Sequence, residues 1–480
     1  MNILHFFKAT ALGAFCCATT GNLTAQIYTE QSLPANPTNQ SSIVVRAADL
    51  DNDGDQDLIL GNEFEPNTAL YNQGMGNFIP VNNGFSDVHN DTDDIGVGDF
   101  DGDGDMDVIF INQGGFGHEY YHNDGTGNFE IAGFLPATNG GGIAVGDLNN
   151  DGFLDIVIGN LNQQNFCLIN DGTGNFINET TERLPAAQRD TDDLKLADVD
   201  NDGDLDLFVA NRNGNRMLIN NGDGIFEDET SQRIPQGIDM DTRKACFGDV
   251  NGDGWIDLFL ANVQFSDDKN PQNRLYINEM NGFFTDLTAS RLPQLQDQTT
   301  NAAFEDFDGD GALDLLITNV LENPIQALKN SGNGTFTIRT SDVINNPPAT
   351  EEAWGIAIAD FNEDGFNDIY VSSRFGQDTY LTGDPEGELL TNIDPTLPTS
   401  KNTLFPNPVN TNCYLQHPEN FTIKKIQLFT SHGQLLQTLT SSPLSTNKTD
   451  IHFPKSIPNG IYYLKIQTLE TITSYRIIKQ

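Results

Sequence analysis

One nonapeptide dominates this chain and limits what it can fold into. It reads Asp-x-(Asp/Asn)-x-Asp-Gly-x-x-Asp and begins at Asp49, Asp99, Asp147, Asp198, Asp249, Asp306 and Asp360, at intervals of 50, 48, 51, 51, 57 and 54 residues. A period of that length signals a repeat architecture, whose units bury their apolar faces only against neighbours. Comparing the copies separates oxygen-bearing positions from passengers. The first position is Asp throughout, and the third is Asp51, Asp101, Asn149, Asp200, Asn251, Asp308 or Asn362. The fifth is Asp53, Asp103, Asp151, Asp202, Asp253, Asp310 or Asp364, and the sixth is always Gly. The ninth is Asp57, Asp107, Asp155, Asp206, Asp257, Asp314 or Asp368. Position seven accepts Asp55, Asp105, Phe153, Asp204, Trp255, Ala312 and Phe366, so all it can contribute in common is its backbone carbonyl.

Carboxylates this dense repel one another unless a cation lies among them. Ca²⁺ takes about six to eight oxygen ligands, and a tight Asp/Asn loop with one turn-making Gly supplies them. An EF-hand needs a bidentate Glu at position twelve on an outgoing helix. Here that position is Leu60, Phe110, Ile158, Val209, Leu260, Ile317 or Val371, within β-rich apolar runs. Each loop therefore leads into a strand, and the EF-hand is excluded. Metal-free solvated Asx turns are the other reading; one ligand skeleton repeated seven times favours calcium, up to seven ions, one per repeat.

The rest of each repeat carries hairpin chemistry. Asn123-Asp-Gly-Thr-Gly-Asn-Phe129 and Asn170-Asp-Gly-Thr-Gly-Asn-Phe176 have counterparts starting at Asn72, Asn220 and Asn330, and a looser one at Asn278. Gly and Asn tolerate positive φ, as turns between antiparallel strands require. One strand before the acidic loop, one after it and two around the hairpin make four per repeat, with no helix. Seven such repeats predict an all-β, seven-bladed β-propeller.

These two motifs resemble the FG-GAP or VCBS-type repeat of integrin α-subunit propellers and many secreted bacterial proteins, over about residues 40–392. The resemblance implies that the metal loop joins the first two strands of a blade. It also implies that the ligands are the side chains at positions one, three, five and nine plus the carbonyl at seven. The family includes adhesins, receptors and accessory domains of enzymes, so it constrains fold and metal more than biological role.

Residues 1–25, with Lys8, the apolar Ala11–Ala18 and Leu23-Thr24-Ala25, read as a secretory signal peptide. Cys16 and Cys17 lack the small preceding residue that lipidation requires. No later segment is long and apolar enough to span a membrane. Cys167, Cys246 and Cys413 show no CxxC spacing, and the first two fall in strand patterns, as buried free thiols do. Taking the +1 of residues 1–25 and the +5 of residues 401–480 from the chain's −45 leaves −51 for residues 26–400. Seven calcium ions would cancel only part of that charge. Nucleic acid and anionic lipid, which need basic surface, are excluded as partners.

Tyr28-Thr-Glu-Gln-Ser-Leu-Pro34 resembles the segments Ile177–Pro185 and Phe226–Pro235, read as outer strands, and Glu388–Thr391 is a degenerate further candidate. The N-terminal strand is expected to complete the last blade and hide its edge. Residues 393–401 read as a Pro/Thr/Ser-rich linker, which makes residues 26–392 the propeller and 402–480 a separate domain. Short alternating strands at Leu404–Val409, Ile426–Leu436, Pro458–Ile466 and Tyr475–Lys479 predict a small C-terminal β-sandwich. In their order, with Phe405-Pro-Asn-Pro408, Asn459-Gly460-Ile461-Tyr462 and a basic tail, they resemble a type A sorting domain of type IX secretion. That resemblance implies Sec export to the periplasm, passage through the type IX machinery, and release or attachment at the outer-membrane surface.

Catalytic signals are thin. Of His89, His118, His122, His417, His432 and His452, only His118-Glu-Tyr-Tyr-His122 spells HExxH, a zinc pairing that needs a helix, whereas Tyr120-Tyr121 reads as the strand entering the Asn123 hairpin; no GxSxG elbow or phosphate-binding loop occurs. The rim away from the acidic loops is easier to assign. Its loops include Asp91–Asp94, Asp190–Asp193 and Asp239–Asp241, and carry Phe116, Phe265, Phe375, Arg212, Arg216 and Arg374, a mixture suited to sugars or peptides. The reading is a secreted or surface-attached, calcium-binding adhesion module for an extracellular glycan or protein. The alternative is a calcium-dependent polysaccharide-degrading enzyme of the lyase-propeller type.

Overall fold

The computed structural model describes residues 27–31, 33, 41–81, 84–115, 117–265, 269–321, 323–345, 347 and 352–384, and C-terminal to them the strand segments 403–405, 412–416, 423–430, 435–445, 448–452, 460–468 and 472–479. The expected signal peptide, the linker and Glu388–Thr391 lie outside the described residues. The chain divides into two compact units, 1–388 and 389–480.

The first unit is built of repeated four-stranded antiparallel sheets. Ser42–Ala48, Asp57–Asn62, Thr68–Asn72 and Phe78–Val81 pair in that order, and the next four repeats follow the same plan. The sixth repeat and the strands Glu352–Ala359, Asp368–Phe375 and Thr379–Asp384 share one larger sheet through a single bridge, Val320 to Glu352. Each acidic loop joins the first strand of a repeat to the second, and its ninth residue opens the second strand.

Second strands such as Asp57–Asn62 and Asp155–Asn160 are buried at every residue. That explains their unbroken apolar runs: both faces are covered by neighbouring sheets, so no solvent face demands alternation. Ile59 packs with Val108 and Phe110 of the following repeat, while Leu58 and Leu60 pack with Tyr370 and Phe361 of the last. First strands lie side by side in sequence order, and Glu352–Ala359 lies against Ser42–Ala48. Repeated four-strand sheets packed in this way are consistent with a propeller.

The N-terminal strand Ile27–Gln31 pairs antiparallel with Thr379–Asp384, as the sequence led us to expect, and parallel with Ile344–Asn345 of the sixth repeat. It thereby covers the outer edge of the last sheet.

One expectation fails. The repeats are not helix-free, because the segments read as outer strands end early and single helical turns follow at Thr180–Arg183, Thr230–Arg233, Thr288–Arg291 and Thr340–Val343. The cause is local. Asn178, Asp228 and Asp286 each accept the N–H of the Thr two residues on, an Asx turn that starts a helix rather than continuing a strand. In the first two turns the Arg pairs with a Glu four residues earlier and reaches a hairpin carbonyl of the next repeat, Asp223 for Arg183 and Asn281 for Arg233.

The second unit holds two four-stranded antiparallel sheets. One runs Thr403–Phe405, Asn412–Gln416, Lys448–His452, Thr440–Ser445, and the other Leu435–Thr438, Ile423–Thr430, Gly460–Thr468, Ile472–Lys479. Leu415, Ile426, Leu428, Ile451 and Leu464 are buried within it. Among the described residues no helix is long and apolar enough to cross a membrane.

Candidate functional site

The acidic loops are wound around their own carboxylates. In all seven, the first Asp accepts the N–H of the Gly at position six at 2.8–3.1 Å. Those glycines have φ between 87° and 98°, a left-handed conformation costly for other residues. The fifth Asp accepts the N–H of position seven at 2.9–3.0 Å in every copy. Backbone geometry at position seven is thus uniform whether it carries Asp, Phe, Trp or Ala. Two of its aspartates are engaged elsewhere, Asp105 with Asn52 at 2.7 Å and Asp204 with Asn150 at 2.8 Å, each joining one loop to the next repeat's.

The ninth Asp does something that its place in the motif does not reveal. It is buried in every copy. In Asp57, one oxygen accepts the N–H of Leu50 at 2.9 Å and the other that of Asn72 at 2.7 Å. Asp107, Asp155, Asp206, Asp257 and Asp314 repeat this clamp between loop and hairpin. Asp368 holds Asn362, Gly383 and the Tyr380 hydroxyl. Burial pushes the carboxyls of Asp57, Asp206, Asp257, Asp314 and Asp368 up to about 7 despite these donors.

Carboxylates converge at several loops: Asp49, Asp51 and Asp53; Asp99, Asp101 and Asp103; Asp198, Asp200 and Asp206; Asp306, Asp308 and Asp314. Asp49 Oδ1 and Asp200 Oδ1 are buried there with no hydrogen-bond partner. A histidine that the sequence reading set aside joins the second loop: His122 Nδ1 lies 3.0 Å from Asp101 and 3.5 Å from Asp107. Its signal was the register, since it stands immediately before the hairpin Asn. In the sixth repeat that register holds Lys329, whose ammonium pairs with Asp308 and lies 3.4 Å from Asp310.

A cavity of about 260 Å³ draws its walls from all seven repeats. The first strand of each repeat breaks register with the second near its start, and the residues displaced there include Ile43, Asp93, Gly141, Asp192, Arg243, Thr300 and Trp354. All seven line the cavity. A bulge re-aims one residue out of the ladder, so these repeats contribute one such residue each, of six types among the seven, with Asp alone occurring twice. Buried pairs fix the strand ends beside it: Ser42, Thr92, Thr191, Thr242 and Thr299 donate to Asn62, Asn112, Asn211, Asn262 and Asn319 at 2.8–2.9 Å.

Ion pairs line this cavity and the strands beside it. Lys244 is 3.3 Å from Asp94 and 3.2 Å from Asp193, which Lys195 also approaches at 3.2 Å. Burial opposes ionisation of Asp94, but Lys244, Arg46 and Lys195 together hold it down to about 2. Asp93 has Gln113 as its hydrogen-bond partner, and burial raises its carboxyl well above the usual range. Asp91 is pushed up to about 6 by burial and by Glu63. Arg243 stacks on Phe265 at 4.9 Å and Arg374 on Trp354 at 5.4 Å, two cation–aromatic pairs in the wall. Asp192 joins Arg212 and Arg243, and Glu63 holds Arg374 at 2.7 Å.

Of the rim residues singled out from sequence, Phe265 and Arg374 line the cavity and Arg212 orients one of its carboxylates. Phe375 is exposed beside Arg374, and Phe116 lies outside the described residues. Arg216 is not a loop tip: it opens the strand Arg216–Asn220, is buried, and pairs with Asp228, because the loop before it is shorter than its polar composition implied. Cys167 is buried and Cys246 half-buried, both unpaired thiols. Trp354, Arg243 and Lys244 were missed, since a bulge leaves no mark in composition.

Similarity to known proteins follows the same two units. Residues 49–110, 99–158, 147–209, 198–260, 249–317 and 306–371 each match the FG-GAP-like repeat, and residues 403–480 match the secretion system C-terminal sorting domain. Cartilage acidic protein 1 of Xenopus tropicalis is 26% identical over 190 residues, 38% of this chain and 29% of that protein. The Homo sapiens protein of that name is 26% identical over 201 residues, 39% of this chain and 29% of its own length. The chain thus spans less than a third of these relatives. An Agrocybe aegerita lectin structure, described by its recognition of non-reducing terminal N-acetylglucosamine, aligns over 63% of this chain and 82% of its own at 18% identity, with a TM-score of 0.43.

Proposed function

Because the chain belongs to the FG-GAP-like repeat family and carries a type IX secretion sorting domain at residues 403–480, we propose that it works outside the cell as a calcium-stabilised binding module. In this reading residues 26–392 form a closed seven-bladed propeller. The sorting domain, a β-sandwich, engages the type IX secretion machinery, and the product is released or held at the outer-membrane surface. The ligand is an extracellular glycan or protein group seated in the axial cavity.

One observation carries the binding reading: the cavity is lined by a bulge residue from every repeat, and these seven residues are of six different types. A purely structural spacer has no use for an aromatic, a cation, two acids and a hydroxyl gathered at one point. Such a mixture of apolar wall and a few placed polar groups is what small-ligand sites require. Calcium fits the loops on separate grounds. The buried, unpartnered oxygen of Asp49 points to a missing positive partner, and an all-oxygen donor set suits a hard cation. It would be held by the side chains at positions one, three, five and nine and by the carbonyl at seven, neutralising charge without taking part in chemistry.

The test has two arms. Calcium-loaded protein on a glycan array and in pull-downs should retain a ligand that Trp354→Ala loses while its melting temperature stays within a few degrees. Retention unchanged in Trp354→Ala would place the site elsewhere. Release of unsaturated products from uronate-containing glycans, abolished by a single change in this cavity, would replace the binding module with a lyase. For the metal, chelation should lower the melting temperature by many degrees, since an ion bound by the folded form alone stabilises by mass action. Identical melting with and without chelator would remove calcium from the account.

A further inference from the structure

We infer that Lys329 supplies the cation of the sixth loop, so that Asp306–Asp314 closes without calcium while other loops take it. This rests on the calcium reading of the acidic loops and deepens it. The ammonium pairs with Asp308, at position three, and lies 3.4 Å from Asp310, at position five. It therefore occupies two of the four side chains that would hold a divalent ion. The other two make the same bonds as their fourth-loop counterparts Asp198 and Asp206, Asp306 accepting from Asp310 and Gly311 and Asp314 from Phe307 and Asn330, so the ammonium is what sets this loop apart.

Arg233 also lies 3.3 Å from Asp200 of the fourth loop, but it reaches that one ligand position where Lys329 reaches two, and the register places such a lysine at one loop. The residue just before the hairpin Asn is Tyr71, His122, Ile169, Ile219, Ile277 and then Lys329, so a fixed cation arises once in six. Ile169 and Ile277 at the same position are buried in the cores between repeats. A lysine ammonium is a compact charge with three donors, and its tether holds it at high effective concentration beside the loop. A divalent ion would have to displace it from both carboxylates or sit against a like charge. Asp308 Oδ1 remains buried without a partner, a place an ion could claim once the lysine is gone.

Calcium counted by equilibrium dialysis on the full chain tests this. Lys329→Ile should bind one ion more than the unaltered protein, and Lys329→Arg, which keeps the charge, the same number. In the unaltered background Asp310→Ala should leave the count unchanged, whereas Asp202→Ala, at the equivalent position of the fourth loop, should lower it by one. Equal counts for the unaltered protein and Lys329→Ile, or an ion lost in Asp310→Ala, would overturn the inference and leave the calcium reading standing. No calcium in any of these proteins would sink both. Should Lys329→Ile fail to fold, the Asp310 and Asp202 comparison decides alone.

Discussion

The side-chain amide of Asn72 donates to the backbone carbonyl of Phe361, 289 positions further along the chain, at 2.7 Å. The same bond runs from Asn123 to Leu50, Asn170 to Phe100, Asn220 to Leu148, Asn278 to Val199 and Asn330 to Val250, each joining a hairpin to the preceding repeat's acidic loop. Asn72 makes it across the point where the last repeat meets the first. In the last repeat Gly383 stands where Asn is expected, and its N–H still reaches Asp368. There the seam with the sixth repeat is closed instead by the N-terminal strand, and Tyr28 packs edge-on against Phe307 at 5.7 Å.

Asn72→Ala should therefore destabilise the first unit by about 1–3 kcal/mol, the cost of stranding buried carbonyls. Urea unfolding compared with Asn213→Ala, an exposed loop Asn, measures it. Equal midpoints would mean that the bond across the join contributes nothing.

Tyr28 is fully buried, and its ring fills the gap between the last two repeats. Tyr28→Ala should cost about 3 kcal/mol or more, the range for deleting a buried ring. Proteolysis should then begin at the strand Thr379–Asp384, which loses its cover. Protection of that strand equal to the unaltered protein's would show that the N-terminal strand does not clasp this seam.

Gly141 faces the axial cavity with no room for a side chain, since a Cβ there would lie 2.2 Å from the carbonyl oxygen of Thr191. Gly141→Ala should destabilise by about 3 kcal/mol, because backbone rather than a flexible side chain must yield. Gly133→Ala, where nothing lies within 4 Å, should change stability by less than about 0.5 kcal/mol. Thermal melts of the pair decide it, and similar melting for both would contradict this packing.

Asp378 is buried, accepts the Tyr370 hydroxyl and the Ser373 N–H at 2.8 Å each, and is pushed by burial from 3.8 up to about 7. Between those values the native protein keeps a proton that the unfolded chain has lost. Its contribution to stability therefore falls as pH rises through that window and levels off above it. Asp378→Asn, uncharged and of similar shape, should gain stability relative to the unaltered protein between about pH 5 and pH 8 in saturating calcium. A difference that does not change with pH would show that the carboxyl is ionised throughout.

Much of this molecule was legible in contiguous residues. The acidic loops, the Asn-Gly hairpins, the order of strands and even the closing role of the N-terminal strand follow from turn chemistry and apolar runs. Their governing hydrogen bonds span two to five residues, as between Asp49 and Gly54 or Asp53 and Asp55. Spacing could also nominate the ninth aspartate, though not its second task of clamping loop to hairpin. Tertiary structure alone decided which side chains meet in the axial cavity and which cation faces the sixth loop. Ile43, Asp93, Arg243 and Trp354 stand about 50 or more residues apart, and only bulges and the packing of whole sheets bring them together. Local geometry is set by neighbouring dihedrals and short-range bonds, which the sequence carries directly. A site assembled across repeats depends on how each sheet packs against the next, and no single stretch of the chain encodes that.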